Sequence, residues 1–185
     1  MSGQKRIYQL KVTLEDIRPP VWRRIQVAEE TTLGKLHRIF QTVMGWENYH
    51  LHAFRVGEVT YGEPDPDFDQ GWMKNERRVK LRDIAPGIGA KFRYEYDFGD
   101  SWLHLALVEK IFEAEPGMVY PLCIGGKRAC PPEDCGGFPG YEDFLTAIAN
   151  PEREDHDALL QWVGGAFDPE AFDQNTVNKA LRRLR

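Results

Sequence analysis

The chain has 185 residues, 42% hydrophobic and 12% aromatic, which suffices to bury a core without disulfide staples and suits one domain over residues 1–185. A formal net charge of −5 and a pI near 5.6 exclude a protein that coats nucleic acid non-specifically, because such binding rests on neutralising phosphates. No apolar run approaches the roughly 18 residues of a membrane span, the N-terminus lacks an apolar signal core, and three cysteines are too few and too odd for a disulfide framework, so a cytoplasmic protein with no membrane contact is expected.

Ile7 to Leu14 alternates, with Tyr8, Leu10, Val12 and Leu14 on one face, and predicts a strand. Arg18-Pro19-Pro20 breaks it, and Val21 to Val27 supplies a second strand. The period then changes. Leu33, Leu36, Ile39, Phe40, Val43 and Met44 form one helical stripe, with Thr31 or Thr32 as N-cap and Gly45 as the stop. His50 to Val56 predicts a third strand, followed by a loop rich in Pro, Asp and Gly (Gly62 to Gly71) and a weaker strand near Arg77 to Arg82. Lys91 to Phe98 and Ser101 to Phe112 are the strongest strands. From Glu113 to Gly140 no period holds, and this irregular segment carries all the cysteines. Helices are expected over Tyr141 to Ala149, Glu152 to Val163 and Thr176 to Arg185, with Asp168-Pro169-Glu170 resembling a cap and first turn. Strands first and helices last predict an α+β domain with a largely antiparallel sheet, one helix after the second strand and a C-terminal group of helices.

Gly99-Asp100 reads as a two-residue type II′ turn, which places Tyr96 opposite Leu103 and Tyr94 opposite Leu105 on a core face. The other face then carries Glu95 opposite His104 and Asp97 opposite Trp102. Glu95, Asp97, Asp100 and His104 are thus candidate catalytic residues, able to bind a metal or move a proton beside a Trp102 wall; the competing reading is a cross-strand salt bridge. His50 and His52 share a strand face, either as ligands or as satisfied core histidines.

Cys123, Cys130 and Cys135 lie in a Gly/Pro-shaped loop, where zinc, completed by a histidine such as His50, His52 or His104 or by an acidic residue, would explain its order. Reduced, partly buried thiols are the alternative, since no Cys-x-x-Cys pair occurs. Asp65, Asp67, Asp69 and Glu76 follow the carboxylate spacing of a calcium loop, but Gln70 stands where that loop needs glycine and a solvated turn is the better reading. Basic residues gather at Arg18, Arg23 and Arg24 and again at Lys179, Arg182, Arg183 and Arg185; if they share a face, Arg23, Arg24, Arg182 and Arg183, with Trp102, are candidates to contact a protein or nucleic-acid partner. No Gly-rich phosphate loop, Gly-x-Ser-x-Gly elbow or His-Glu-x-x-His helix occurs, which leaves cofactor-dependent and triad enzymes without positive support.

Pro19-Pro20-Val21-Trp22-Arg23-Arg24, Met44-Gly45-Trp46 with His50-Leu51-His52-Ala53-Phe54, Tyr96 to His104, and Cys130-Pro131-Pro132-Glu133-Asp134-Cys135-Gly136-Gly137 with Gly140-Tyr141 together resemble the plasmid pRiA4b ORF-3-like family. The resemblance implies an α+β domain of prokaryotic genomes, plasmids and insertion elements, with some members labelled transposition regulators, and no established reaction. Two functions follow as expectations. The first is a non-enzymatic binding or regulatory domain associated with plasmids or mobile elements. The second is a metal-dependent hydrolase centred on the Glu95/Asp97/His104 face of the hairpin.

Overall fold

The computed structural model describes residues 5–64 and 71–184. Strands β1 (Arg6–Leu14) and β2 (Trp22–Ala28) lead into helix α1 (Leu33–Met44). Strands β3 (His52–Val56), β4 (Val59–Gly62) and β5 (Met73–Asn75) follow, with a one-turn helix α2 (Leu81–Ile84). The long hairpin is β6 (Lys91–Tyr96) and β7 (Trp102–Glu113); then come β8 (Leu122–Lys127), helices α3 (Gly137–Ala149), α4 (His156–Trp162) and α5 (Gln174–Leu181), and a closing 3-10 turn, Arg182–Leu184. All eight strands form one sheet of order β5-β4-β3-β6-β7-β1-β2-β8. Every pairing is antiparallel except β4 with β5. The α+β class is therefore as the element order predicts.

Helix α1 starts and stops where its local chemistry directs. Thr32 caps the Lys35 amide, and Gly45 turns left-handed at φ 95°, a conformation that costs glycine nothing. Its apolar stripe lies on the sheet through Phe40, which packs at 5.1 Å on Tyr94 and 6.2 Å on Phe54. Alternation places Tyr8, Leu10, Val12 and Leu14 of β1 in the same core, beside Arg23, Ile25 and Val27 of β2. The opposite face is polar at its centre, where Arg24 forks onto Glu109 (2.6 and 2.9 Å) and Gln9 joins from β1 (2.9 Å).

Outside the hairpin, three segments differ from the sequence reading. Arg77 to Arg82 is no strand: a single bridge joins Lys80 to Thr32 before α2 begins. The supposedly irregular stretch contains β8, whose two glycines hide its period; a side chain at Gly126 would meet the Phe172 ring at 2.5 Å. Asp168-Pro169-Glu170 forms an isolated turn closed by the Asp168 carboxylate on the Glu170 amide (2.9 Å), and the next helix, α5, is capped separately by Asp173.

The hairpin register is shifted by one residue from that expected. Tyr96 pairs with Trp102, Tyr94 with His104 and Phe92 with Ala106, and Glu95 pairs with Leu103. The connection is not a two-residue turn at Gly99-Asp100: Asp97 and Ser101 take positive φ (56° and 54°) and the Ser101 amide closes on the Asp97 carbonyl at 2.6 Å. A shift of one residue exchanges the faces of a strand. His104 and Trp102 thus enter the core, and Leu103, Leu105 and Leu107 face the other way, half-buried.

Candidate functional site

The first turns of α1, the Asn48–His52 segment and Glu76 border an open groove of about 760 Å³. Its floor is a closed hydrogen-bond ring. The Asn48 amide donates to Gln41 Oε1 (3.0 Å) and Gln41 Nε2 donates to Tyr94 Oη (2.9 Å). The Tyr94 proton is then left for His37 Nδ1 (2.8 Å), so His37 carries its own proton on Nε2 and donates it to Asn48 Oδ1 (2.5 Å). Burial, with His52 alongside, holds the His37 pKa down to about 3, so the ring is neutral as the network requires. His52 stacks on His37 at 3.5 Å and donates from Nε2 to the buried Glu76 carboxylate (3.0 Å). Tyr94→Phe is expected to cost about 1–3 kcal/mol, because it strands His37 Nδ1 and Gln41 Nε2 in the core. Urea denaturation checks this, and a loss under about 0.5 kcal/mol would mean that the ring is dispensable.

The rim is cationic. Lys35 lies in the first turn of α1, where the helix dipole is positive, and Arg38 lies about one turn further on. Among the described residues neither has a carboxylate partner, whereas Arg77 is paired with Glu63 at 2.8 Å.

Beside the groove three loops meet. Trp46 Nε1 donates to the Pro131 carbonyl (3.0 Å), Tyr96 Oη donates to Glu133 (3.0 Å), and the Gly136 amide donates to Asp100 Oδ2 (3.1 Å). Asp97 is fixed by its own amide on the Leu51 carbonyl (2.9 Å), while its Oδ1 accepts the Gly99 amide (2.9 Å). This convergence sets His50 Nε2 2.9 Å from Asp134 Oδ1 and 3.7 Å from Asp97 Oδ2. Among the described residues these three form the one group of potential metal ligands whose donor atoms all lie within 4.8 Å of one another.

The remaining predicted site residues are dispersed. Glu95 lies on the face opposite His104, where it accepts from Ser101 Oγ (3.0 Å) and pairs with Arg55. His104 is fully buried with its pKa held down to about 4 by that burial, and Nδ1 faces the Trp102 and Tyr94 carbonyls. Trp102 is buried in the core. The three cysteines are free and separate: Cys123 contacts the Gly125 carbonyl, Cys130 contacts Met44, and Cys135, beside Asp100, is pushed up to about 12 by burial and that carboxylate. Arg23 is a core residue, Arg24 is engaged by Glu109, and Arg182 and Arg183 are exposed on the last turn. Asp65, Asp67 and Asp69 fall outside the described residues, and Glu76 belongs to His52. Sequence reasoning did not single out His37 or Asp134. His37 sits within the α1 stripe, and Asp134 was hidden among the cysteines of its loop; no local pattern announces either contact.

A mixed sheet packed against α1 and the C-terminal helices, with an acidic-histidine junction of three loops beside a polar groove, defines an α+β domain. The chain belongs to the family described as plasmid pRiA4b ORF-3-like protein, whose model matches residues 6–176. It is 40% identical over 180 residues to the uncharacterized protein y4hQ of Sinorhizobium fredii (strain NBRC 101917 / NGR234), covering 96% of this chain and 92% of that protein. It is also similar to the crystal structure of MM3350, a protein of unknown function from Methanosarcina mazei Go1, with a TM-score of 0.84 and 37% identity over 94% of this chain and 98% of that one. Among the described residues no helix is long and apolar enough to cross a membrane.

Proposed function

We propose that this protein is a non-enzymatic binding domain whose groove takes the carboxylate or phosphate group of a small ligand. The observation that carries this reading is the pair Lys35 and Arg38, which have no carboxylate partner among the described residues and line the groove from the first half of α1, over a floor of neutral, hydrogen-bonded side chains. The floor supplies orientation and no nucleophile: both ring nitrogens of His37 are engaged and Glu76 is bound by His52. Binding of a small anion also suits a chain whose net charge of −5 disfavours long polyanions. A ligand-controlled domain of this kind would serve the regulatory role in plasmid or mobile-element biology that the family resemblance implies. A hydrolytic centre built from Glu95, Asp97 and His104 together gains no support, since the sheet separates Glu95 from His104.

The test is calorimetric titration of the full chain with inorganic phosphate, pyrophosphate and succinate. One site per chain is expected for at least one of them, weakened about ten-fold or more by Lys35→Ala combined with Arg38→Ala and weakened by added salt. The absence of binding by all three at millimolar concentration, or an affinity indifferent to the double substitution, would overturn the reading.

A further inference from the structure

We propose that His50, Asp97 and Asp134 bind one divalent transition-metal ion, and that this ion ties the Cys130–Gly137 loop to the hairpin tip. The three ligands come from three separate loops: the segment after α1, the β6–β7 connection and the loop before α3. Imidazole nitrogen and carboxylate oxygen bind zinc at about 2.0–2.2 Å, so adjacent ligands stand roughly 3.0 Å apart at a right angle and 3.4 Å at a tetrahedral one. The observed separations from His50 Nε2, 2.9 Å to Asp134 and 3.7 Å to Asp97, are those of ligands arranged about a shared centre.

A second observation concerns His50 itself. Its Nε2 is shielded from water and has no hydrogen-bond partner, although the Asp134 carboxylate oxygen is only 2.9 Å away. A ring N–H meant for that carboxylate would point at it. A nitrogen close to the oxygen but out of line with it, together with a second carboxylate, fits donors directed at a common third point. Asp97 is already oriented for this, since its Oδ1 accepts the Gly99 amide and its Oδ2 remains on the His50 side.

The donor set narrows the ion. One imidazole and two carboxylates neutralise a dication and suit zinc, manganese or iron(II) better than calcium or magnesium, which prefer oxygen alone. Three protein ligands leave at least one coordination position open. The thiols are not needed: Cys130 contacts Met44 and Arg23, and Cys123 lies on β8. His50 also lines the groove, so the two sites share a wall, but the metal site stands on its own geometry and does not depend on anion binding.

The test uses full-length protein stripped with a chelator and titrated with Zn²⁺ by calorimetry and with Mn²⁺ by electron paramagnetic resonance. One ion per chain is expected, together with slower amide exchange over 97–101 and 131–137 in the loaded protein. Asp134→Asn should weaken binding at least ten-fold without unfolding the chain, because the side chain is exposed and asparagine tolerates the φ of 55° found there. His50→Gln should do the same, and Cys130→Ser and Cys135→Ser should leave affinity unchanged. Failure to bind either ion would overturn the proposal, as would an affinity lost in the cysteine variants and kept in Asp134→Asn.

Discussion

Lowering the pH from 7 to 5 is expected to destabilise the fold by about 4 kcal/mol, with His37 and His104 contributing about 2 kcal/mol each. Burial depresses both rings, to about 3 for His37 and about 4 for His104, against an ordinary value of 6.5. Both are neutral when folded, so below 6.5 the unfolded chain binds protons that the native state refuses. Their contribution is complete above about pH 6.5 and is lost as the pH falls toward the folded values, at about 1.4 kcal/mol per pH unit for each ring. Neither ring can relax by accepting a proton: His37 Nδ1 accepts from Tyr94, and His104 Nε2 has no partner in the core. Urea midpoints from pH 7.5 to 4.5 check this. His104→Leu should reduce the slope by about half, and a flat wild-type profile would show that these histidines are not buried neutral groups.

Arg23→Ala is expected to cost about 3–5 kcal/mol, more than a surface arginine could. The guanidinium donates to the carbonyls of Val43 (2.7 Å), Trp22 (2.9 Å) and Lys127 (3.0 Å), and lies 4.5 Å over the Phe172 ring. Val43 lies in the last turn of α1, where the helix dipole is negative, so a cation there offsets the charge of the carbonyl end and joins helix, sheet and C-terminal segment. Truncation leaves carbonyls unpaired and a void beneath Phe172. Arg23→Lys should recover only part of the loss, since an ammonium gathers its donors on one nitrogen and does not span the carbonyls that Nε and Nη1 reach separately. A cost below about 1 kcal/mol in chemical denaturation would contradict the structural role and reopen a partner-facing one.

Much of the fold was legible because its signals are local. Helix α1 announces itself through Thr32, Gly45 and the stripe between them, and β1 and β2 through alternation. The same alternation places Arg23 on a face with Ile25 and Val27, a sign of burial that its charge obscures. The hairpin register was not legible, because β7 is apolar on both faces: Leu103, Leu105 and Leu107 alternate with Trp102, Ala106 and Val108, and neither set looks more like core. Only the tip decides, and it does so through positive φ at Asp97 and Ser101, positions where a tight glycine turn was the simpler expectation. His50 and Asp97 were recognisable as chemistry-bearing residues, but their meeting with Asp134 depends on the packing of the Pro131–Gly136 loop against Trp46, Tyr96 and Asp100. The groove is non-local in the same sense, since its floor joins α1, β3, β6 and the residue after β5.

The proposal of an anion-binding groove is tested most directly by resonance perturbation on adding inorganic phosphate to labelled protein. The account predicts saturable shifts centred on Gly34, Lys35, Arg38, Asn48 and the His52 imidazole, with little change along α3 to α5. Shifts concentrated at Arg182 and Arg183, or none at saturating phosphate, would contradict it.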